Sequence, residues 1–526
     1  MTAHTIARFR RACLPAASLL LLPAALAAAI NEPVRIDTGL VQGVPASDAS
    51  VTVFKGIPFA AAPIGELRWR APKPAAHWEG VLKADHFSAG CIQDDVRSLG
   101  PWTEEYMHQG EYSEDCLYLN VWTGARSPRE KRPVLLWIHG GAFTGGSGSV
   151  ALYNGEELAR KGIVVVTTNY RLGVLGFLAH PELTRETDVK SSGNYGLLDQ
   201  LAALEWIKRN ISAFGGDPNK VTIGGQSAGA MSVSCLIASP LAKGLFIRAI
   251  IQSGATLASR SPHLAQAEAA GVKFAAAKGA KSIAELRAMP VEKLAARGVQ
   301  FRSGPIVDGS FLPDDVSAIY AAGKQNDVAT LTGWTADEGS FNPDYGKLKA
   351  EEFQSQIQKT FGDKAAGFFK WYPCYSDEQA AYAQKSSMRD QNLMSTYLWA
   401  RERAKTSKTR VYTYFWTHPL PGPDKDRYGA FHSSELPYVF NSLKQAAKRP
   451  WTAEDYKIAQ TTSSYWDNFI ATGDPNGKGL ARWPAFDASK PVTMELGDRF
   501  GLVWVAKDPL KLKFLEEVLP RMPRAF

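Results

Sequence analysis

The chain has 526 residues, 45% of them apolar and 21% charged, and a formal charge of +8. That length and balance suit a large buried core and exclude a disordered or fibrous chain. Lysines and arginines are scattered rather than clustered, so nucleic acid is not the expected partner.

The first 29 residues stand apart. Arg8, Arg10 and Arg11 precede an apolar stretch from Leu14 to Leu26, which ends in Ala27, Ala28 and Ala29. A basic start, an apolar middle and small residues at the end form an export signal, here residues 1–29. The stretch is short for a bilayer span of roughly 20 residues, and Pro15 and Pro23 interrupt it. The protein is therefore expected in the periplasm or outside the cell, without a membrane span. Residues 30–526 are expected to form one domain, since no Pro/Gly/Ser linker separates modules. In an exported chain the remaining cysteines, Cys91, Cys116, Cys235 and Cys374, become candidates for pairing. Spacing alone does not choose among three full pairings. Cys91–Cys116 is the most local, with a chain-entropy gain of about 3 kcal/mol. Cys235 reads as a buried free thiol.

Short apolar runs at 134–138, 163–168, 221–223, 247–251 and 411–416 read as strands buried on both faces. Between 194 and 214, Leu197, Leu198, Leu201, Leu204 and Ile207 recur at helical spacing. Alternating strands and helices predict a doubly wound α/β sheet, whose ligands gather at the carboxyl ends of the strands. The alanine-rich, charged regions 260–325 and 343–408 read as helical insertions around the mouth of such a site.

Three strand ends carry chemistry. The run 134–138 passes into His139-Gly140-Gly141-Ala142, where glycines let backbone N–H groups approach a substrate oxygen. The run 221–223 passes into Gly225-Gln226-Ser227-Ala228-Gly229, a Gly-x-Ser-x-Gly nucleophile elbow. A strand at 329–334 leads to Asp337 and Glu338, either of which could be the acid of a hydrolytic triad. A serine hydroxyl needs a base to take its proton and an acid to orient that base. Of the downstream histidines, His432 lies in a polar, loop-like stretch and is favoured as the base. His418, at the end of an aromatic strand, is expected to pack or cap there.

Longer segments extend the pattern. Phe54–Ala60, Leu67–Pro72, Ser113–Asn120, Gly193–Gln200 and Phe214–Pro218 resemble the type-B carboxylesterases, the cholinesterase-like α/β-hydrolases, over nearly the whole of residues 30–526. The resemblance implies an α/β-hydrolase fold and a serine carboxylic-ester hydrolase without cofactor or metal. It implies Ser227 as nucleophile, Glu338 rather than Asp337 as acid, and His432 as base. The oxyanion donors would be the N–H groups of Gly141, Ala142 and Ala228. Ser253 would orient the acid, Cys91 would pair with Cys116, and Glu114 with Arg68. Two positions depart from the family: Gln226 where Glu usually precedes the nucleophile, and Ala142 where many relatives carry Gly. A carboxylate at 226 would favour cations beside the histidine, so its absence predicts poor recognition of choline-like substrates. The expected ligand is a small-molecule ester. The alternatives are a specialised esterase for feruloyl-type, polyester or polycarboxylate esters, and a cholinesterase-like binding protein without activity.

Overall fold

Val134, Leu136 and Ile138 share one buried core with Leu204 and Val233, whereas Leu135 and Trp137 share another with Trp466 and Phe469. A strand that buries both alternating faces must lie inside a sheet covered by helices on each side. The computed structural model describes residues 1–2, 29–255, 261–295 and 301–518. Most of the expected export signal, including Leu14–Leu26, lies outside the described residues.

Among the described residues, eleven strands form the main sheet. In chain order they are β1 (Val44–Pro45), β2 (Thr52–Pro58), β3 (Tyr118–Thr123), β4 (Arg132–Ile138), β5 (Val164–Thr168) and β6 (Gly216–Gln226). They continue with β7 (Arg248–Gln252), β8 (Ala329–Thr335), β9 (Val411–Trp416), β10 (Val492–Leu496) and β11 (Gly501–Trp504). Their order across the sheet is β11-β10-β9-β8-β7-β6-β4-β5-β3-β2-β1. From β5 to β10 every neighbour is parallel. The flanking pairs β3–β5, β2–β3, β1–β2 and β10–β11 are antiparallel.

Four helices matter for the site: α1 (Tyr195–Asn210), α2 (Ala228–Ala238), α3 (Asp377–Ala404) and α4 (Ala453–Thr472). Helix α2 packs on β6, β7 and β4, and α4 contacts β4 and β6. The α4 start is capped by Thr452, whose side chain accepts from Asp455 N–H while the Asp455 side chain accepts from Thr452 N–H. The regions read as insertions are largely helical, with Leu264–Ala277 and Ala350–Phe361 among their elements. The second does more than line a mouth, because the end of α3 buries Trp399 and Ala400 in the main core. Among the described residues no helix is long and apolar enough to cross a membrane.

Cys91 and Cys116 are joined by a disulfide, with Cα atoms 5.0 Å apart. Cys235 and Cys374 are buried and unpaired, and burial pushes the Cys235 thiol up to about 12, leaving it an inert core group. Arg68 and Glu114 form a two-pronged ion pair at 2.7 and 2.5 Å.

Candidate active site

Strand β6 stops at Gln226 and α2 begins at Ala228, so Ser227 must reverse the chain alone. It does so at φ 58° and ψ −125°, a conformation strained for any residue with a side chain. Ser227 N–H donates to the Gln252 carbonyl at 2.9 Å, and Met231 N–H closes the first helical turn on the Ser227 carbonyl. A Cβ on Gly229 would stand 2.0 Å from the Ile138 carbonyl oxygen, so only glycine lets the helix sit this close to β4. Ser227 is half-buried, and residues 221–226 of the strand behind it are buried.

The segment after β4 faces it. Gly141, Ala142 and Phe143 have successive positive φ values of 107°, 53° and 60°. Gly141 and Ala142 are exposed, and their N–H groups, like that of Ala228, donate to no acceptor among the described residues. Ala142 holds this backbone without being glycine, at a cost of roughly 1–2 kcal/mol. Behind the segment, His139 stacks on Tyr170 with ring centroids 4.4 Å apart, and Tyr170 Oη donates to the His139 carbonyl. Burial pushes His139 down to about 4, so it is a neutral strut rather than a base.

Beyond β8, Thr335 N–H and Ser253 Oγ–H both donate to Glu338 Oε1, at 2.8 and 2.6 Å. The other oxygen, Oε2, contacts His432 Nδ1. An ionised carboxylate only accepts, so it holds the proton on Nδ1 and leaves Nε2 with a lone pair. Gln226 Nε2 stands 3.0 Å from His432 Nε2. His432 is also held from outside: Trp102 Nε1–H donates to its carbonyl at 3.0 Å, and the two rings meet edge to face. Trp102 belongs to the loop that the Cys91–Cys116 disulfide closes.

Asp337 and Glu338 are both buried rather than on a surface turn, and the structure separates them. Glu338 faces His432, while Asp337 bonds to Ala430, Tyr345 and Arg389. His418 lies elsewhere, between Asp455 at 3.0 Å and Asp498 at 2.7 Å. Arg302 is exposed. A further buried carboxyl group lies nearby in the sequence, in the His432 loop. Glu435 is fully buried, accepts from Gln252 Nε2 at 2.8 Å, and is pushed up to about 8 by burial. Its spacing, three residues after His432, was the only available signal. A groove of about 890 Å³ lined by Pro101, Tyr428 and Phe431 runs behind the histidine loop and contains neither Ser227 nor Glu338.

Residues 31–507 match the model of the Carboxylesterase family. Fumonisin B1 esterase of Sphingopyxis macrogoltabida is 37% identical over 88% of this chain and 86% of its own. Para-nitrobenzyl esterase of Bacillus subtilis is 36% identical over 91% of this chain and 97% of its own. Cocaine esterase of Homo sapiens is 33% identical, covering 93% and 92% respectively. A match of this length, over a sheet with glycine-rich turns at the ends of β4 and β6, leaves one conclusion. The chain belongs to the carboxylesterase family and is a carboxylic-ester hydrolase of the α/β-hydrolase fold.

Proposed function

We propose that the enzyme cleaves esters by acyl transfer to Ser227, with His432 as base and Glu338 as the acid that orients it. The contact of Glu338 Oε2 with His432 Nδ1, at the strand ends that present Ser227, carries this reading. Nε2 takes the serine proton as Oγ attacks the ester carbonyl, and the oxyanion collects on the N–H groups of Gly141, Ala142 and Ala228. The C–O bond then breaks and the alcohol leaves with the proton from His432. Water, deprotonated by the same nitrogen, releases the acid and restores Ser227.

The test is direct. Para-nitrophenyl acetate should give a burst of nitrophenolate, and mass spectrometry should find one acetyl group on the peptide carrying Ser227. Ser227→Ala should lose the burst and roughly 10⁵-fold in kcat. Undiminished turnover by that variant would overturn the mechanism.

The substrate follows from Gln226. The amide beside His432 carries no charge, so position 226 offers a choline-like cation no carboxylate to pair with. Gln226→Glu is expected to raise the cationic-to-neutral ratio of kcat/KM roughly tenfold for matched esters, about 1.4 kcal/mol. Equal ratios in both proteins would remove this explanation. Para-nitrobenzyl esters, neutral and of the kind named for one relative, are the first to screen, with cocaine as an amine ester that is cationic at neutral pH and the fumonisin B1 type beside them. Residues 30–526 act as one exported domain in this reading, and the Cys91–Cys116 disulfide supports an oxidising compartment.

A further inference from the structure

We propose that Asp337 is a positioning residue that ties the acid's loop to the base's loop, with Arg389 holding it in place. The inference rests on the acyl-transfer reading above. Glu338 and His432 come from different segments, 94 residues apart, and their contact needs those segments in register. Asp337, adjacent to Glu338, makes the join in both directions. Its N–H donates to the Ala430 carbonyl at 2.9 Å, and Ala430 N–H donates back to Asp337 Oδ2 at 3.0 Å. Ala430 is two residues before His432. The neighbouring Gly429, at φ 55°, makes the approach possible, since a Cβ there would lie 2.3 Å from Asp337 Oδ2.

A buried carboxylate needs its lone pairs filled and its charge matched. Asp337 has both. Tyr345 Oη–H donates to Oδ1 at 2.9 Å, and Arg389 Nη2 spans Oδ1 and Oδ2 at 2.9 and 3.0 Å. Arg389 reaches in from α3 with its side chain 48% exposed, whereas that of Asp337 is 5% exposed. The clamp is thus locked from the solvent side by Arg389, whose guanidinium bonds to Asp337. Releasing it lets the strand-like bridge between Asp337 and Phe431 relax, and the Glu338–His432 contact with it. A misplacement of about 1 Å between reacting groups can cost about 100-fold in rate. The surfaces offered to substrate, Gly141 and Ala142, lie on another segment, so binding should be spared.

The experiment measures kcat and KM per fluorophosphonate-titrated active site for Arg389→Ala, Arg389→Lys and wild type, with thermal melts to confirm folding. The expected result is a roughly tenfold fall in kcat for Arg389→Ala with KM within about twofold, and partial recovery in Arg389→Lys. Because the Arg389 site is open to solvent, millimolar guanidinium should restore much of the lost kcat in Arg389→Ala. It should do nothing for Asp337→Ala, which lacks the carboxylate. Should Arg389→Ala not fold, Tyr345→Phe removes another donor to Asp337 and should lower kcat about threefold with KM unchanged. Wild-type kcat in Arg389→Ala, a loss confined to KM, or no response to guanidinium would overturn the proposal. If Ser227→Ala is inactive while Arg389→Ala is unimpaired, the clamp alone fails. If Ser227→Ala keeps full activity, the acyl-transfer reading fails first.

Discussion

Glu338→Gln is expected to lower kcat roughly 10⁴-fold while leaving KM near its wild-type value. The reason lies in which donors already surround the side chain. Ser253 Oγ–H and Thr335 N–H both point at Oε1, so the new carbonyl oxygen must take that place. The amide NH₂ then occupies the Oε2 position and faces His432 Nδ1 as a donor. Nδ1 can meet a donor only as an acceptor, which moves the imidazole proton to Nε2. A histidine protonated at Nε2 cannot take the Ser227 proton, although nothing that binds substrate has changed. Steady-state kinetics with a chromogenic ester separates the two parameters. A loss of less than about tenfold would show that Glu338 does not fix the tautomer.

The second large effect is one of stability. Glu435 ionises near 4.5 when unfolded and about 8 when folded, because burial disfavours its charge. The sign follows from proton counting. Below pH 4.5 both states hold the proton and the group costs nothing. Between pH 4.5 and 8 the unfolded chain ionises while the folded one does not, so stability falls steadily, then levels off above pH 8. The total is about 3–5 kcal/mol at 1.36 kcal/mol per unit. Glu435→Gln keeps an oxygen for the Gln252 Nε2–H bond and removes the titration. The wild type should therefore lose stability relative to Glu435→Gln as pH rises from 5 to 9, with the gap closing at pH 5. Denaturant melts at pH 5, 7 and 9 measure it; parallel curves would show that Glu435 does not titrate between the two states.

The features legible in the sequence have local causes. The β4, β6 and β9 strands announce themselves as apolar runs because both their faces are covered, and the elbow announces itself because Ser227 needs small neighbours. Helix α1 was legible from its leucine spacing. Strands β1, β2 and β3 are less legible: β1 has only two residues, and polar Lys55 in β2 and Asn120 in β3 interrupt the apolar runs. Long-range partners were less legible still. Nothing local says that Asp337 turns toward Ala430 rather than to water, that Trp102 reaches the carbonyl of His432, or that Glu435 loses all contact with solvent. These depend on segments brought together only by the sheet order. The resemblance could separate Glu338 from Asp337, but a carboxylate's partners are a property of the folded chain.

The close approach at Gly229 has an evolutionary consequence. The height of Ser227 above the sheet is set by main-chain atoms, the Ile138 carbonyl on one side and the Gln252 carbonyl on the other. Peptide groups are the same whatever side chains adorn them. The loops around the mouth can therefore diverge, and with them the choice of ester, while the attacking atom keeps its coordinates. A lineage of this architecture can acquire new substrates by changing its rim without re-solving the placement of its nucleophile.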